Sequence, residues 1–446
     1  MKKLLLLIAL SLLLAACGQE DEPQKHVADD LKLFAGGTVY TGNPEQPLAE
    51  AVVVSGNRIV FVGTRQEAEG YPAGAVIDLE GAFMYPGFTD AHAHILGIGQ
   101  RELVLNLEGA ASVAEVQERL RAYAEIVPEG ENIVGRGWIE THWPEGRFLN
   151  RHDIDAVVPD RPVLLGRADG HAVTLNTAAL EVLGITKDTP VPEGGEMLFD
   201  ENGELTGVLI DAAKEEPEKF FYNALIQRRA EAYEVAGSFL VSHGWTQVHN
   251  MWDSFDVAET MERLADEGKI GVRIYNSVQG FIPGSGKNPA IDAFLAGGPR
   301  QSENALVVTR AMKLYMDGAL GSRGALLLEP YADADTSGLL LADRDIYLDL
   351  MERALRAGIQ VNTHAIGDAG NRMLLDWYQE VFAAVPADER AIAEPRWRNE
   401  HTQILDPADI PRFAELGVIP SMQPSHAIGD LYFAPDRLGK ERLVGA

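Results

Sequence analysis

The amino-acid sequence predicts an α/β protein with a parallel barrel as its larger part and a small β-module at its amino-terminal end. Strand-like apolar runs alternate with amphipathic helical segments over most of the chain, which is typical of parallel strands covered by helices. Several short strand-like runs before Pro86-Gly87 have no helix-length segment between them. With 446 residues and 46% hydrophobic composition, the chain can bury one large core and a smaller one.

The net charge limits the classes of partner. The chain carries a formal charge of −29 at pH 7. Binding to nucleic acid or to an anionic membrane surface requires clustered lysine and arginine. We therefore expect no nucleic-acid partner.

The sequence pattern predicts that residues 1–16 form an export signal. Lys2 and Lys3 precede an apolar run that is too short for a mature membrane-spanning helix. The run ends in Leu14-Ala15-Ala16-Cys17, which resembles a bacterial lipoprotein signal. The resemblance implies cleavage before Cys17, lipidation of its thiol, and a membrane-anchored lipoprotein on the periplasmic side or cell surface, with residues 17–30 as a tether. An ordinary secretory signal with a chance cysteine is the alternative.

The sequence pattern predicts that residues 31–86 form the β-module. The run Arg58–Val62 follows the previous strand across Gly56-Asn57, a dipeptide typical of a tight hairpin. The predicted strands are Leu31–Tyr40, Ala51–Ser55, Arg58–Val62 and Val76–Leu79.

The sequence pattern predicts that residues 87–446 form the barrel. From about residue 100 to residue 242 the strand and helix alternation is interrupted, which indicates an insertion. The predicted strands after the insertion are Gly244–Asn250, Ala305–Met316, Ile359–His364, Arg398–His401 and Val418–Gln423.

The stretch MYPGFTDAHAHILG contains the first candidate metal ligands, His92 and His94. Residues two apart on a strand point to the same face, so both imidazoles can reach one metal ion. Two polar residues on a solvated strand or turn are the alternative interpretation.

Three further candidates lie at predicted strand ends. They are Lys313 in AMKLYMDGALGSRGA, His364 in GIQVNTHAIGD and His401 in WRNEHTQ. In a parallel barrel, residues at the carboxyl ends of the strands converge on one face. Each residue alone has a structural interpretation, as a core histidine or as a lysine that extends its stem along apolar surface. Together they predict a metal site.

Four segments resemble the amidohydrolase superfamily, specifically its family 3 or YtcJ-like branch, which includes N-substituted formamide deformylases. The segments are PGFTDAHAH, MKLYMDGALGSRGA, NTHAIGDAGNRMLLD and NEHTQILDPADIPRFAELGVIPSMQPSH. The resemblance covers about residues 31–446 and implies a distorted TIM (β/α)8 barrel with a small β-sandwich domain. It also implies that His92 and His94 bind one metal, that His364 and His401 bind a second, and that Lys313 bridges them as its carbamate.

The resemblance implies a metal-dependent hydrolase. One or two divalent ions, expected to be zinc, would activate a water that cleaves an amide-type C–N bond of a small N-acyl or N-formyl amine. Asp90 and Asp317 are candidates for supporting the ligands, or alternatively for forming turns. An ester or lactone hydrolase and a non-catalytic, metal-holding binding lipoprotein are the alternative functions.

Four residues are candidates for contacting the substrate. Trp138 and His171 lie in insertion segments that resemble family segments over the barrel mouth, and Gln423 and His426 follow the last predicted strand. The alternative for Trp138, and for Trp143 beside it, is packing of the insertion onto the barrel.

The resemblance also calls for an aspartate after an eighth strand as the general base. The segment GVIPSMQPSH is about the seventh strand, and neither Asp430 nor Asp436 after it ends an apolar strand-like run. We therefore expect the general-base aspartate beyond Ala446, a barrel incomplete at its carboxyl-terminal end, and an inactive 446-residue chain.

Overall fold

The computed structural model describes residues 31–168, 170, 172–192, 195–282 and 286–445. The predicted signal, the tether and Cys17 lie outside these residues, as does His171. The chain divides into two compact units between Gly87 and Phe88.

The amino-terminal unit contains one five-stranded sheet and a short helix. Alternate residues Leu31, Leu33 and Ala35 of the first strand are buried, as expected for a strand with one covered face. The sheet order is β3-β2-β1-β4, with β5 also beside β1, and Gly56 at φ +53° makes the predicted hairpin turn. The elements are β1 Leu31–Tyr40, β2 Leu48–Ser55, β3 Arg58–Gly63, α1 Arg65–Ala68, β4 Ala75–Asp78 and β5 Phe83–Met84.

The second unit begins with a barrel strand and its helix, followed by a separate six-stranded sheet. The order of that sheet is β11-β12-β10-β9-β8-β7, and it interrupts the barrel where the insertion is predicted. The elements are β6 Phe88–Ala93, α2 Ile95–Glu102, β7 Leu105–Asn106, α3 Val113–Ile126, β8 Ile133–Trp138, α4 Arg151–Asp155, β9 Val163–Arg167, β10 Ala172–Leu175, α5 Thr177–Leu183, β11 Gly195–Phe199, β12 Leu205–Asp211, α6 Glu215–Gln227 and α7 Arg229–Ser242.

The barrel then continues to residue 445. Its elements are β13 Trp245–Asp253, α8 Phe255–Asp266, β14 Arg273–Gln279, β15 Phe281–Ile282, β16 Gly286–Lys287, α9 Ile291–Gly297, β17 Arg300–Gln301, β18 Val307–Tyr315, α10 Arg344–Ala357, β19 Gln360–Ala365, α11 Asp368–Ala384, β20 Arg398–His401, α12 Ile410–Leu416, β21 Ile419–Ser421, α13 His426–Gly429 and α14 Ala434–Leu438.

A nearly closed sheet of seven parallel strands forms a distorted TIM barrel. Its order is β21-β20-β19-β18-β14-β13-β6, and the short β17 pairs antiparallel with β18. Within the described residues, no backbone ladder joins β6 to β21. Helices α10 and α11 cover the sheet with a buried apolar cluster that includes Tyr347, Leu350 and Trp377. No helix in the described part of the chain is both long and apolar enough to cross a membrane.

The strand β14 is absent from the predicted set. Its buried positions include Asn276, Ser277 and Gln279, so the apolar run that predicts a buried strand is missing. The Asn276 side chain is satisfied by its neighbours instead, since it accepts from Asn250 Nδ2 at 2.9 Å and donates to Thr309 Oγ1 at 3.3 Å. Amide pairing across three adjacent strands therefore replaces apolar packing here.

Candidate functional site

Four histidines meet at the carboxyl ends of three barrel strands. The ring centroid of His401 lies 4.5 Å from that of His92 and 4.5 Å from that of His364. The His94 ring lies 5.4 Å from the His92 ring. The structure therefore brings together all four histidines that the sequence singles out.

A break in the strand turns His401 toward this cluster. Consecutive strand residues point to opposite faces, yet Glu400 and His401 both contact His92. His401 has φ +74° and Thr402 has φ +46°, a left-handed conformation that non-glycine residues rarely adopt. Such local strain is typical of functional positions that the surrounding structure holds in place.

Hydrogen bonds orient two of the imidazoles. His92 Nδ1 donates to Glu400 Oε2 at 2.7 Å, and His401 Nδ1 donates to Gln423 Oε1 at 2.8 Å. These bonds leave Nε2 of each ring with its lone pair, which is how carboxylates and carbonyls commonly prepare histidine for a metal.

Burial keeps the histidines neutral. It lowers the pKa of His94 to about 4 and that of His364 to about 3. The pKa values of His92 and His401 are lowered for the same reason, with repulsion from Lys313 adding to the effect. A neutral imidazole is the form that binds a metal ion.

Lys313 is buried beside the histidines with only 1% of its surface exposed. Burial lowers the pKa of its amine to about 8, against an opposing effect of Glu400. Its Nζ lies 5.1 Å from the centre of the Tyr315 ring. A lowered pKa increases the share of neutral amine, which is the form that reacts with carbon dioxide to give a carbamate.

The donor set fits a divalent transition metal. Neutral imidazoles with oriented rings and one lysine able to become an oxygen ligand suit zinc or a similar ion. Across the described part of the chain, no three histidine, cysteine, aspartate or glutamate side chains are already arranged as a metal cage. The fit therefore rests on the chemistry and orientation of these donors.

A buried ion pair between Arg398 and Glu400 lies behind the hydrogen bond from His92 to Glu400. Arg398 Nε donates to Glu400 Oε1 at 2.6 Å, and the two side chains are 6% and 0% exposed. Arg398 Nη2 also donates to Ala91 O and to Ser421 Oγ, each at 2.7 Å. The sequence interpretation missed both residues, although two charges inside a short predicted strand were a signal.

The Asp317 and Asp90 carboxylates accept hydrogen bonds mainly from backbone N–H groups. Asp317 accepts from the backbone N–H groups of Leu326, Ile366 and Gly367 at 2.8–2.9 Å and lies 3.5 Å from His364 Nε2. Burial raises the pKa of Asp317 to about 7, although those backbone donors lower it. Asp90 Oδ1 accepts from the His92 backbone N–H at 3.0 Å.

Two of the predicted substrate residues lie at the cluster. The His426 ring is 5.6 Å from the His401 ring. Gln423 Nε2 is buried and, among the described residues, has no hydrogen-bond partner. This amide can therefore donate to a ligand while its oxygen holds His401.

Trp138 lies in the apolar core of the insertion instead. It is fully buried, its Nε1 donates to Leu165 O at 2.9 Å, and its ring contacts Trp143 and Phe148. This placement favours the packing interpretation of Trp138. His171 lies outside the described residues.

The two late aspartates have other surroundings. Asp430 Oδ2 accepts from Gln403 Nε2 at 2.6 Å, and Asp436 is exposed on α14. The prediction of a general-base aspartate beyond Ala446 remains a prediction.

The sequence profile described as the amidohydrolase family matches residues 75–446. The chain belongs to the amidohydrolase family. This amidohydrolase is 33% identical over 423 residues to the amidohydrolase YtcJ of Bacillus subtilis, covering 93% of this chain and 77% of that protein. It is 28% identical over 409 residues to the N-substituted formamide deformylase of Arthrobacter pascens, covering 89% and 73%.

A crystal structure shares the fold of this amidohydrolase. An uncharacterized metal-dependent hydrolase from Pyrococcus horikoshii superposes with a TM-score of 0.72 at 26% identity, covering 93% of this chain and 79% of that one. Family membership makes the protein a hydrolase, as the sequence predicts.

Proposed function

We propose that this amidohydrolase cleaves the amide-type C–N bond of a small N-acyl or N-formyl amine with the help of divalent metal ions. The observation that carries the proposal is the cluster of four neutral histidines beside the buried Lys313. The relatives add support, because one is named as a formamide deformylase and another as a metal-dependent hydrolase.

His92, His94, His364 and His401 would hold the metal, with Lys313 as a carbamate between them. Zinc is the ion that imidazole and oxygen donors favour. When bound, it would supply an activated water and polarisation of the substrate carbonyl.

The chain's own residues orient the ligands and the substrate. Glu400 and Gln423 fix the His92 and His401 rings through Nδ1. The free N–H groups of Gln423 Nε2 would donate to the substrate carbonyl oxygen. Because the Gln423 oxygen also holds His401, substrate position and ligand orientation are coupled.

A substrate panel tests this function. The complete protein, expressed so that the general-base aspartate expected beyond Ala446 is present, is loaded with zinc. It is incubated with N-formyl and N-acyl amines and with matched esters and lactones, with and without a chelator. Chelator-sensitive release of the amine is expected. Faster cleavage of the esters or lactones would identify the protein as a hydrolase of those substrates instead. Metal binding without turnover of any substrate would indicate a metal-holding binding protein and overturn the proposal.

We further propose that the protein is exported and anchored through a lipid on Cys17. The support is the sequence Leu14-Ala15-Ala16-Cys17 after an apolar run with two lysines before it. Membrane fractionation and mass spectrometry of the amino-terminal peptide test it. A diacylated Cys17 is expected, and Cys17→Ala should move the protein to the soluble exported fraction. An intact unlipidated amino terminus would contradict the proposal.

A further inference from the structure

A cavity lies at the amino-terminal end of the barrel. It encloses about 400 Å³. Its lining includes Gln360, Arg398 and Ile419, which are the first residues of β19, β20 and β21. His364 and His401 lie at the other ends of β19 and β20, so the cavity and the histidine cluster are at opposite ends of the barrel.

A β-bulge places an arginine in this cavity. The ladder between β14 and β18 pairs Asn276 with Thr309 and Ser277 with Ala311. Arg310 is therefore the extra residue of β18, and a bulge re-aims the side chain it carries. Arg310 lines the cavity, and within the described residues its guanidinium has no hydrogen bond or ion pair.

The polar groups around Arg310 give the cavity a positive character. Arg398 also lines it but is already neutralised by Glu400. Arg396 adds a second cation, and Glu394 is an exposed carboxylate of the same lining.

The Tyr275 hydroxyl is a neutral donor in the same lining, because burial raises its pKa. Its ring packs 5.0 Å from the ring of His249. The Nδ1 atom of His249 accepts from Arg398, so this imidazole adds no positive charge. The cavity lining therefore carries two guanidinium groups without ion-pair partners in the described residues, those of Arg310 and Arg396, and one exposed carboxylate, that of Glu394. This local excess of positive charge contrasts with the net charge of −29 of the whole chain.

Apart from Gln360, whose side-chain amide donates to Arg396 O, the rest of the lining is apolar. Leu355 in the last turn of α10, Ile359 two residues after that helix and Ile419 on β21 contribute aliphatic surface. A ligand that matches both parts has a small anionic head and a short hydrocarbon body. A planar guanidinium such as that of Arg310 pairs with a carboxylate through two parallel hydrogen bonds.

We propose that this cavity binds a short aliphatic carboxylate, with its head on Arg310 and Tyr275 and its chain against Leu355 and Ile359. The site is separate from the histidine cluster, and its ligand does not depend on the proposed hydrolysis. Arg398 lines this cavity and, through Glu400, reaches His92.

The test is calorimetric titration of the zinc-loaded protein with butyrate, with 1-butanol and butylamine as neutral and cationic analogues at matched ionic strength. Saturable binding of butyrate alone is expected. Arg310→Gln should weaken it by about tenfold or more, since a charged hydrogen-bonding partner is lost. Arg273→Gln, an exposed arginine of β14 that does not line the cavity, should bind as the wild type does.

Two further variants keep the result interpretable. His94→Ala should retain butyrate binding, whereas loss would assign the carboxylate to the histidine cluster and overturn the proposal. Tyr275→Phe, which should weaken binding about fivefold, serves if Arg310→Gln fails to fold. Absence of saturable binding by the wild type, or wild-type affinity in both Arg310→Gln and Tyr275→Phe, would also overturn it.

Discussion

Glu400 is the residue that joins the histidine cluster to the interior of the barrel. Its two carboxylate oxygens are shared between His92 Nδ1 and the Arg398 guanidinium. Burial alone would raise the pKa of Glu400, but the bond from His92 and the charge of Arg398 lower it below the usual range. The carboxylate is therefore ionised and satisfied on both sides.

Replacing this carboxylate should affect stability and metal affinity together. Glu400→Gln leaves the Arg398 charge buried without its partner, which should cost about 3–5 kcal/mol of unfolding free energy. It should also weaken metal binding about 10–100-fold, because the His92 ring loses its orienting group. Denaturant unfolding and zinc titration measure the two effects.

The matched control is Glu380→Gln, which breaks a half-exposed pair with Arg344. Its cost should stay below about 1 kcal/mol. If Glu400→Gln binds zinc as the wild type does and unfolds at the same denaturant concentration, the supporting role of Glu400 is wrong.

Variants of Lys313 distinguish a role as a metal ligand from a structural role for this residue. Lys313→Ala should lose most of the bound metal and activity, and a short carboxylic acid added to this variant should restore part of both by occupying the vacated space. Lys313→Arg keeps the charge but cannot form the carbamate, so it should also be inactive. Metal analysis and turnover measure these outcomes, with the exposed Lys269→Arg as the control; wild-type activity of Lys313→Arg would make the lysine structural.

At the scale of elements, the loop after β18 packs directly on the start of α11. Asp317 in this loop binds the N–H groups of Ile366 and Gly367, between β19 and α11. A Cβ atom added at Gly367 would lie 2.0 Å from Leu326 O. Because His364 precedes this turn on β19, the close contact helps to fix its position.

Gly367→Ala should therefore destabilise the protein although the backbone φ of −74° suits alanine. We expect a loss of about 2–3 kcal/mol, since the backbone of Leu326 has to move. Gly297→Ala at the end of α9 is the matched control, because a Cβ there meets nothing within 4 Å, and it should be neutral or slightly stabilising. Thermal melting compares the two variants, and equal melting temperatures would contradict the close packing.

At the scale of the whole molecule, the candidate metal ligands connect strands far apart in the barrel. His92 and His94 lie at β6, Lys313 on β18, His364 on β19 and His401 on β20. A ligand that binds only the folded chain stabilises all of it by mass action. Metal binding should therefore act on the barrel as a unit.

Zinc at about 1,000 times its dissociation constant should add about 4 kcal/mol of stability and raise Tm by about 5 °C for a chain of this size. The double variant His92→Ala/His94→Ala should lose this shift, whereas His142→Ala/His152→Ala, which changes two exposed histidines of the insertion, should keep it. Equal zinc-induced shifts in both variants, measured by calorimetry, would show that the ion binds elsewhere.

Features that depend on neighbouring residues could be predicted from local patterns of amino acids. The two-residue spacing of His92 and His94 follows from the period of a strand, and the alternation of apolar runs gave the barrel and the amino-terminal hairpin. Lys313, His364 and His401 could be grouped because parallel strands end on one face. These inferences need only local periodicity and one rule of topology.

Contacts between groups that are distant in sequence became evident only in the folded chain. Glu400 contacts His92 across 308 positions of sequence, and Arg310 is the residue of a bulge set by the register of β14 against β18. Trp138 could have faced a pocket or a core, and packing of the insertion put it in the core. Strand register, side-chain burial and long-range hydrogen bonds arise from the folding of the whole chain, and no periodicity within a short segment encodes them.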